Sequence, residues 1–139
     1  MASLVPKFVK KEITDGWVAE TWKIMLLNNL HTPNAGTQQY VSDVVAREIV
    51  DPGLKYTAGG VVISGKVSLA DVNNYALDAD DVTIGPGATL NYRYAVLFKD
   101  TGNQSTSPIR AQIDFVADQI VSNGTSTIQW NALGIIYLT

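Results

Sequence analysis

Asn91-Tyr92-Arg93-Tyr94-Ala95-Val96-Leu97-Phe98 decides the class of fold. Tyr92, Tyr94, Val96 and Phe98 alternate with Asn91, Arg93, Ala95 and Leu97, and Arg93 and Lys99 fall on the second face. A period of two over so long a run marks a strand with one face toward a core. Ile109, Ala111, Ile113 and Phe115 alternate with Arg110, Gln112 and Asp114 in the same way. Between the two runs, Asp100-Thr101-Gly102-Asn103 supplies turn chemistry and Gln104 to Ser107 is polar. Lys99–Ser107 therefore reads as an exposed loop between two paired strands.

Working outward, Thr125–Gln129 and Gly134–Leu138 are short β-branched and aromatic runs. Val61-Val62-Ile63 and Val67-Ser68-Leu69 flank Gly65, which predicts a strand kinked at that glycine. Val18, Trp22, Ile24 and Leu26 fit one strand face, although 20–27 also permits a helix. Turn signals punctuate the chain at Thr32–Gly36, Asp51-Pro52-Gly53, Gly59-Gly60, Gly85-Pro86-Gly87 and Ser122-Asn123-Gly124. The expectation is an all-β fold, a β-sandwich of jelly-roll type. At most one short helix is expected, at Thr37–Val45, where Tyr40, Val41, Val44 and Val45 have helical spacing.

Length and composition bound the function. The chain has 139 residues, with 46% hydrophobic and 17% charged, which excludes disorder and suits one domain. Size scaling gives about 7,000 Å² of folded surface against about 22,000 Å² unfolded, enough burial for one core. No apolar run approaches the ~20 residues of a membrane-spanning helix. Met1–Lys7 lacks the apolar h-region of a signal peptide, so synthesis in a cytoplasm without export by that route is expected. There is no cysteine and one histidine, His31, so no disulfide framework, thiol nucleophile or Cys-ligated metal is available. Lys7, Lys10 and Lys11 put +3 on residues 1–11 and leave −6 on residues 12–139. An acidic body has no footprint for nucleic acid. Pro6 and the lysines break any amphipathic helix, so residues 1–11 are expected as an extended arm on a single domain of 12–139. That arm would place Phe8 and its lysines on a neighbour.

The candidate sites have ordinary readings beside them. Asp78, Asp80 and Asp81 crowd together but lack EF-hand spacing, and read as a turn feeding Val82-Thr83-Ile84. The glycine pairs match no phosphate-loop pattern. Asn103-Gln104-Ser105 and Asn123-Gly124-Thr125 match the glycosylation sequon only by coincidence. His31 reads as a surface loop group. Trp17, Trp22 and Trp130 are core residues unless exposed and clustered, when they would make a sugar-stacking platform. No nucleophile, cofactor site or metal site is expected.

YTAGGVVISGKV (56–67), LDADDVTI (77–84), VLFKDTGNQSTSPIRAQIDF (96–115) and TIQWNALGIIYLT (127–139) together resemble a family of small virion structural proteins of tailed bacteriophages. KIMLLNNLHTPN (23–34) resembles that family's early strand and loop, so the likeness covers about residues 20–139. Ile109-Arg110 departs from the family's apolar pair. The resemblance implies a non-enzymatic decoration or cement protein on the capsid surface, bound to the major capsid protein. A neck, tail or fibre-base component is the close alternative, and a receptor- or carbohydrate-binding β module the more distant one. Self-association as a dimer or trimer is expected, with no cofactor, nucleic acid or membrane. The expected partner contacts are Lys7, Phe8, Lys10 and Lys11 of the arm and Asp100 and Asn103 of the loop.

Overall fold

The computed structural model describes residues 4–138. In chain order it contains helix α1 (Lys7–Ala19), β1 (Trp22–Leu27), 3₁₀ turns at Val41–Asp43 and Val45–Arg47, β2 (Val61–Val62), β3 (Val67–Asp71), β4 (Asn74–Asp78), β5 (Val82–Lys99), β6 (Ile109–Ile128) and β7 (Ile136–Leu138). The protein is all-β apart from one helix, with two antiparallel sheets ordered β2-β1-β5-β6 and β3-β4-β7. Seven strands among the described residues are one short of the eight of a jelly roll. The expected single block over 12–139 resolves into two compact units. One comprises the chain through Glu20, Ile63–Val82 and the chain from Ile128; the other comprises Thr21–Val62 and Thr83–Thr127.

The second unit holds the four-stranded sheet. Trp22–Leu27 forms a strand, not a helix, pairing Ile24 with Leu97 and Leu26 with Ala95. Met25, Leu27, Tyr94, Val96 and Phe98 pack with Val41 and Val44 on one face. Trp22, Ile24, Leu26, Ala95 and Leu97 are also fully buried. Both faces of the β1–β5 pair are therefore interior, which is why 22–27 reads as an unbroken apolar run. The far edge of β1 is completed piecewise. Lys23 and Ile24 pair with β2, Ile49 donates to the Leu26 carbonyl, and the Tyr56 hydroxyl accepts the Leu26 N–H at 3.0 Å.

Loop 100–107 joins β5 to β6 as expected, and Lys99 N–H donates to the Pro108 carbonyl. It is exposed except at its end, where Ser107 is buried. No α-helix forms at 37–45, which holds only the 3₁₀ turn Val41–Asp43, because backbone donors there are taken elsewhere. Val41 and Ser42 N–H bond the carbonyls of Ser107 and Gln104. Gln39 and Tyr40 N–H bond the Asp43 carboxylate, each at 2.9 Å. The expected turns at 85–87 and 122–124 lie inside β5 and β6 instead. Gly85 and Gly87 have positive φ, and a Cβ on Gly85 would overlap the Gly124 carbonyl. Glycine there permits a bulged, close approach of two strands.

The first unit holds α1 and the sheet β3-β4-β7. Gly65, with φ of 69°, separates β2 from β3, so the expected kinked strand is two strands in different sheets. β3 and β4 form a hairpin, with Asp71 opposite Asn74, and β7 pairs Ile136 with Leu77. Asp80 and Asp81 sit in the turn before β5, as expected. Trp130 Nε1 donates to the Asp80 carbonyl, and Trp130 N–H donates to the Asp81 carboxylate.

Candidate functional site

Residues 7–11 do not form part of an extended arm. They open helix α1, which has no side-chain cap, no acid in its first turn and no base in its last. Its lysines cluster at the positive end of the helix dipole, and Gly16 lies within it. Little in the local sequence favours this helix, so tertiary contacts hold it.

Polar contacts contribute, and Trp17 and Val18, on the same side of the helix, are half-buried. Lys10, only 9% exposed, donates through Nζ to the Asn73 carbonyl and Asn74 Oδ1, both at 3.0 Å. Lys7 Nζ lies 5.4 Å from the centroid of the Tyr75 ring, a cation–π contact. Thr14 is buried and returns its hydroxyl to the Lys10 and Lys11 carbonyls. Asp15 accepts from Ser68 Oγ and pairs with Lys11 Nζ at 2.5 Å. The Lys11 hydrogen bond, then that from Ser68, holds the Asp15 carboxyl below its ordinary value.

The opposite side of α1 is apolar. At 100° per residue, Phe8, Val9 and Ile13 fall on the arc away from Lys7, Lys10 and Thr14. Phe8 is 76% exposed, Val9 39% and Ile13 41%. Leu4 and Val5, just ahead of the helix, are also exposed. A surface helix ordinarily turns its apolar stripe inward; the N-terminal half of α1 is inverted, while Trp17 and Val18 in its C-terminal half are half-buried. The five side chains expose on the order of 500 Å² in all, the range of the largest apolar patch on an ordinary monomer, which is often functional. Glu12 is the charged residue on that arc.

Of the expected arm contacts, Phe8 therefore stands outward, whereas Lys7, Lys10 and Lys11 are engaged within the unit. The loop residues are similarly occupied. Asp100 accepts the Gly102 N–H at 2.9 Å and pairs with Lys23 Nζ at 3.0 Å. These hold its carboxyl low, the Gly102 bond first. Asn103 accepts the Ser105 N–H and hydroxyl through Oδ1, and its carbonyl takes the Ser107 hydroxyl at 2.8 Å. Both residues shape the loop itself. Val9 and Ile13 were not among the expected contacts, and their i, i+4 spacing was the available signal.

The remaining candidates resolve as follows. His31 is 4% exposed, not a surface group: Nε2 lies 2.9 Å from Gln112 Oε1 and the ring packs edge-on against Tyr94. Trp22 is fully buried, which removes it from a stacking platform. No group of three or more His, Asp or Glu able to hold a metal occurs among the described residues. The surface hollows are open. One of about 600 Å³ is lined by Ile49, Val50, Leu90, Ile120 and Val121 among others. The most enclosed anion is Asp51, which accepts N–H bonds from Thr89, Tyr56, Gly53 and Lys55 at 2.8 to 2.9 Å. These bonds, Thr89 foremost, hold its carboxyl down at about 2. It ties 51–56 to β5.

No protein-family model, curated protein or solved structure matches the chain.

Proposed function

We propose that this protein is a non-enzymatic structural component of a tailed-bacteriophage virion that decorates and cements the outer face of the capsid. The observation that carries the reading is the inverted helix. Phe8, Val9 and Ile13 are left outside while Lys10 is turned inward, and that arrangement suits attachment to another protein. The resemblance of residues 20–139 to phage virion proteins supplies the partner, the major capsid shell. Cement proteins act by added contact area: a shell opens only if the bound copies are stripped first. A stable specific contact buries about 1,600 Å² in total, so α1 would anchor a larger footprint. Many symmetry-related copies make a moderate affinity sufficient.

The test uses shells of the phage that carries the protein, emptied of it. Native protein is expected to rebind saturably and to raise the temperature at which shells open. Phe8→Ser with Ile13→Ser is expected to fold normally and bind weakly. Native protein that leaves shells bare, or a double variant that binds as tightly as native, sinks the proposal. Cryo-EM localisation separates the head surface from a neck, tail or fibre-base position.

A further inference from the structure

A different surface, in the other compact unit, carries a second contact. β6 is the last strand of its sheet and is 20 residues long. Segment 39–40 pairs with its start, where Ile109 N–H donates to the Gln39 carbonyl and Tyr40 bridges Pro108, and the preceding loop reaches it by side chain, Gln38 and His31 at Gln112 and Asn29 at Asp118. From Ile109 through Thr125 no residue of β6 is buried. Val116 and Ile120 are 77% and 72% exposed. An edge strand presents a row of unpaired N–H and C=O groups, and monomeric proteins block such edges with lysine or proline. Residues 111–128 contain no Lys, Arg or Pro.

We infer that two copies of this chain pair through their β6 edges, antiparallel about a two-fold axis at Ile120. In an antiparallel pair related by a two-fold axis, the residue on the axis faces its own copy. Charge narrows the register by disfavouring axes at Val116 and Asp118. The anions on this stretch are Asp114 and Asp118. An axis at Val116 would set Asp114 against Asp118 twice, and an axis at Asp118 would set that carboxylate against itself. Like charges directly opposite are destabilising. An axis at Ile120 sets Asp118 against Ser122, a hydroxyl donor, and apolar Ile120 against Ile120. It also sets Val116, whose φ is 73°, against Gly124, which has no side chain to clash. The two irregular positions of the strand, Val116 and Asn123, face Gly124 and Ala117 of the other copy, at the ends of the paired segment. This pairing stands independently of the capsid reading, since it uses no residue of α1.

The absence of cysteine allows a direct test. Facing Cα atoms in an antiparallel pair are about 4.5 to 5.5 Å apart, within disulfide range. Ile120→Cys under mild oxidation is expected to give a linked dimer, while Leu133→Cys, exposed elsewhere, is not. Light scattering of the native protein is expected to give twice the chain's 15.0 kDa. Ile120→Lys, which opposes two cations on the axis, is expected to weaken dimerisation at least about a hundredfold and give the single-chain mass. Phe8→Ser is expected to remain dimeric. A native single-chain mass at about 100 μM, a trimer, an Ile120→Cys dimer that does not cross-link, or loss of the dimer on Phe8→Ser would each overturn the inference. Should Ile120→Lys fold poorly, the cysteine result decides alone.

Discussion

Tyr56→Phe removes one oxygen and tests how the edge of β1 is completed. The Tyr56 hydroxyl accepts the Leu26 N–H at 3.0 Å and donates to Glu48 Oε1 at 2.8 Å. Burial, reinforced by the Glu48 charge, pushes its phenol well above the ordinary tyrosine value, so it stays protonated and donating. Leu26 is fully buried, and its N–H points away from β5 where β2 no longer reaches. Phenylalanine would leave that donor without a partner, a cost of about 1–3 kcal/mol. Glu48 would keep the Gly59 N–H at 2.7 Å, so its loss is smaller. The expected total is about 2.5 kcal/mol, or roughly 8 °C in melting temperature at this chain length. Urea denaturation gives the free energy, with Tyr40→Phe as the control. Tyr40 receives only a long 3.4 Å bond from Gln39, so that change should stay within about 0.5 kcal/mol. If Tyr56→Phe matches the control, the buried N–H is satisfied some other way and the reasoning fails.

Other outcomes follow from the same geometry. Leu97→Ala empties a fully buried site in the central strand and is expected to cost about 3–4 kcal/mol in the same assay; a cost of about 1 kcal/mol would show that the core collapses around it. The Asp51 carboxyl is held at about 2 against an ordinary 3.8, so its contribution is complete above pH 3.8 and lost as pH falls toward 2. Asp51→Asn should flatten the acid limb of stability in that window; an unchanged limb would assign it to the other carboxylates. Because Lys7, Lys10 and Lys11 are engaged within the helix unit, capsid attachment is expected to change less than about threefold between 0.1 and 1 M salt, and a steep loss would return the contact to the lysines.

The strands with strict alternation were legible in the sequence, because period two over 91–98 leaves little else to form. Their length was not. Gly85-Pro86-Gly87 and Ser122-Asn123-Gly124 have turn composition, yet each lies opposite a partner strand and is absorbed as a bulge. Helix α1 was missed for local reasons: no cap, lysines at the wrong end of the dipole, and apolar residues that face away from the sheet they would be expected to join. His31 looked like a surface group because Gln112, 81 residues away, supplies the bond that makes its burial tolerable. Phe8 was visible as an outward apolar residue. The open edge of β6 was not, since strand order is set by which distant segments pair.

The inverted packing of α1 has a dynamic consequence. Hydrophobic burial holds most surface helices down, but here two lysine contacts and an aspartate–serine bond do much of that work. Such contacts are individually weak, and the Asp15–Ser68 bond is exposed to water, so α1 should be an early segment of its unit to open in native-state hydrogen exchange. A partner covering Phe8 and Ile13 binds only the formed helix, and so closes that opening by mass action. Amide protection along 9–19 would then rise in proportion to the fraction of copies bound. The helix that attaches the protein would also serve as the gauge of its attachment.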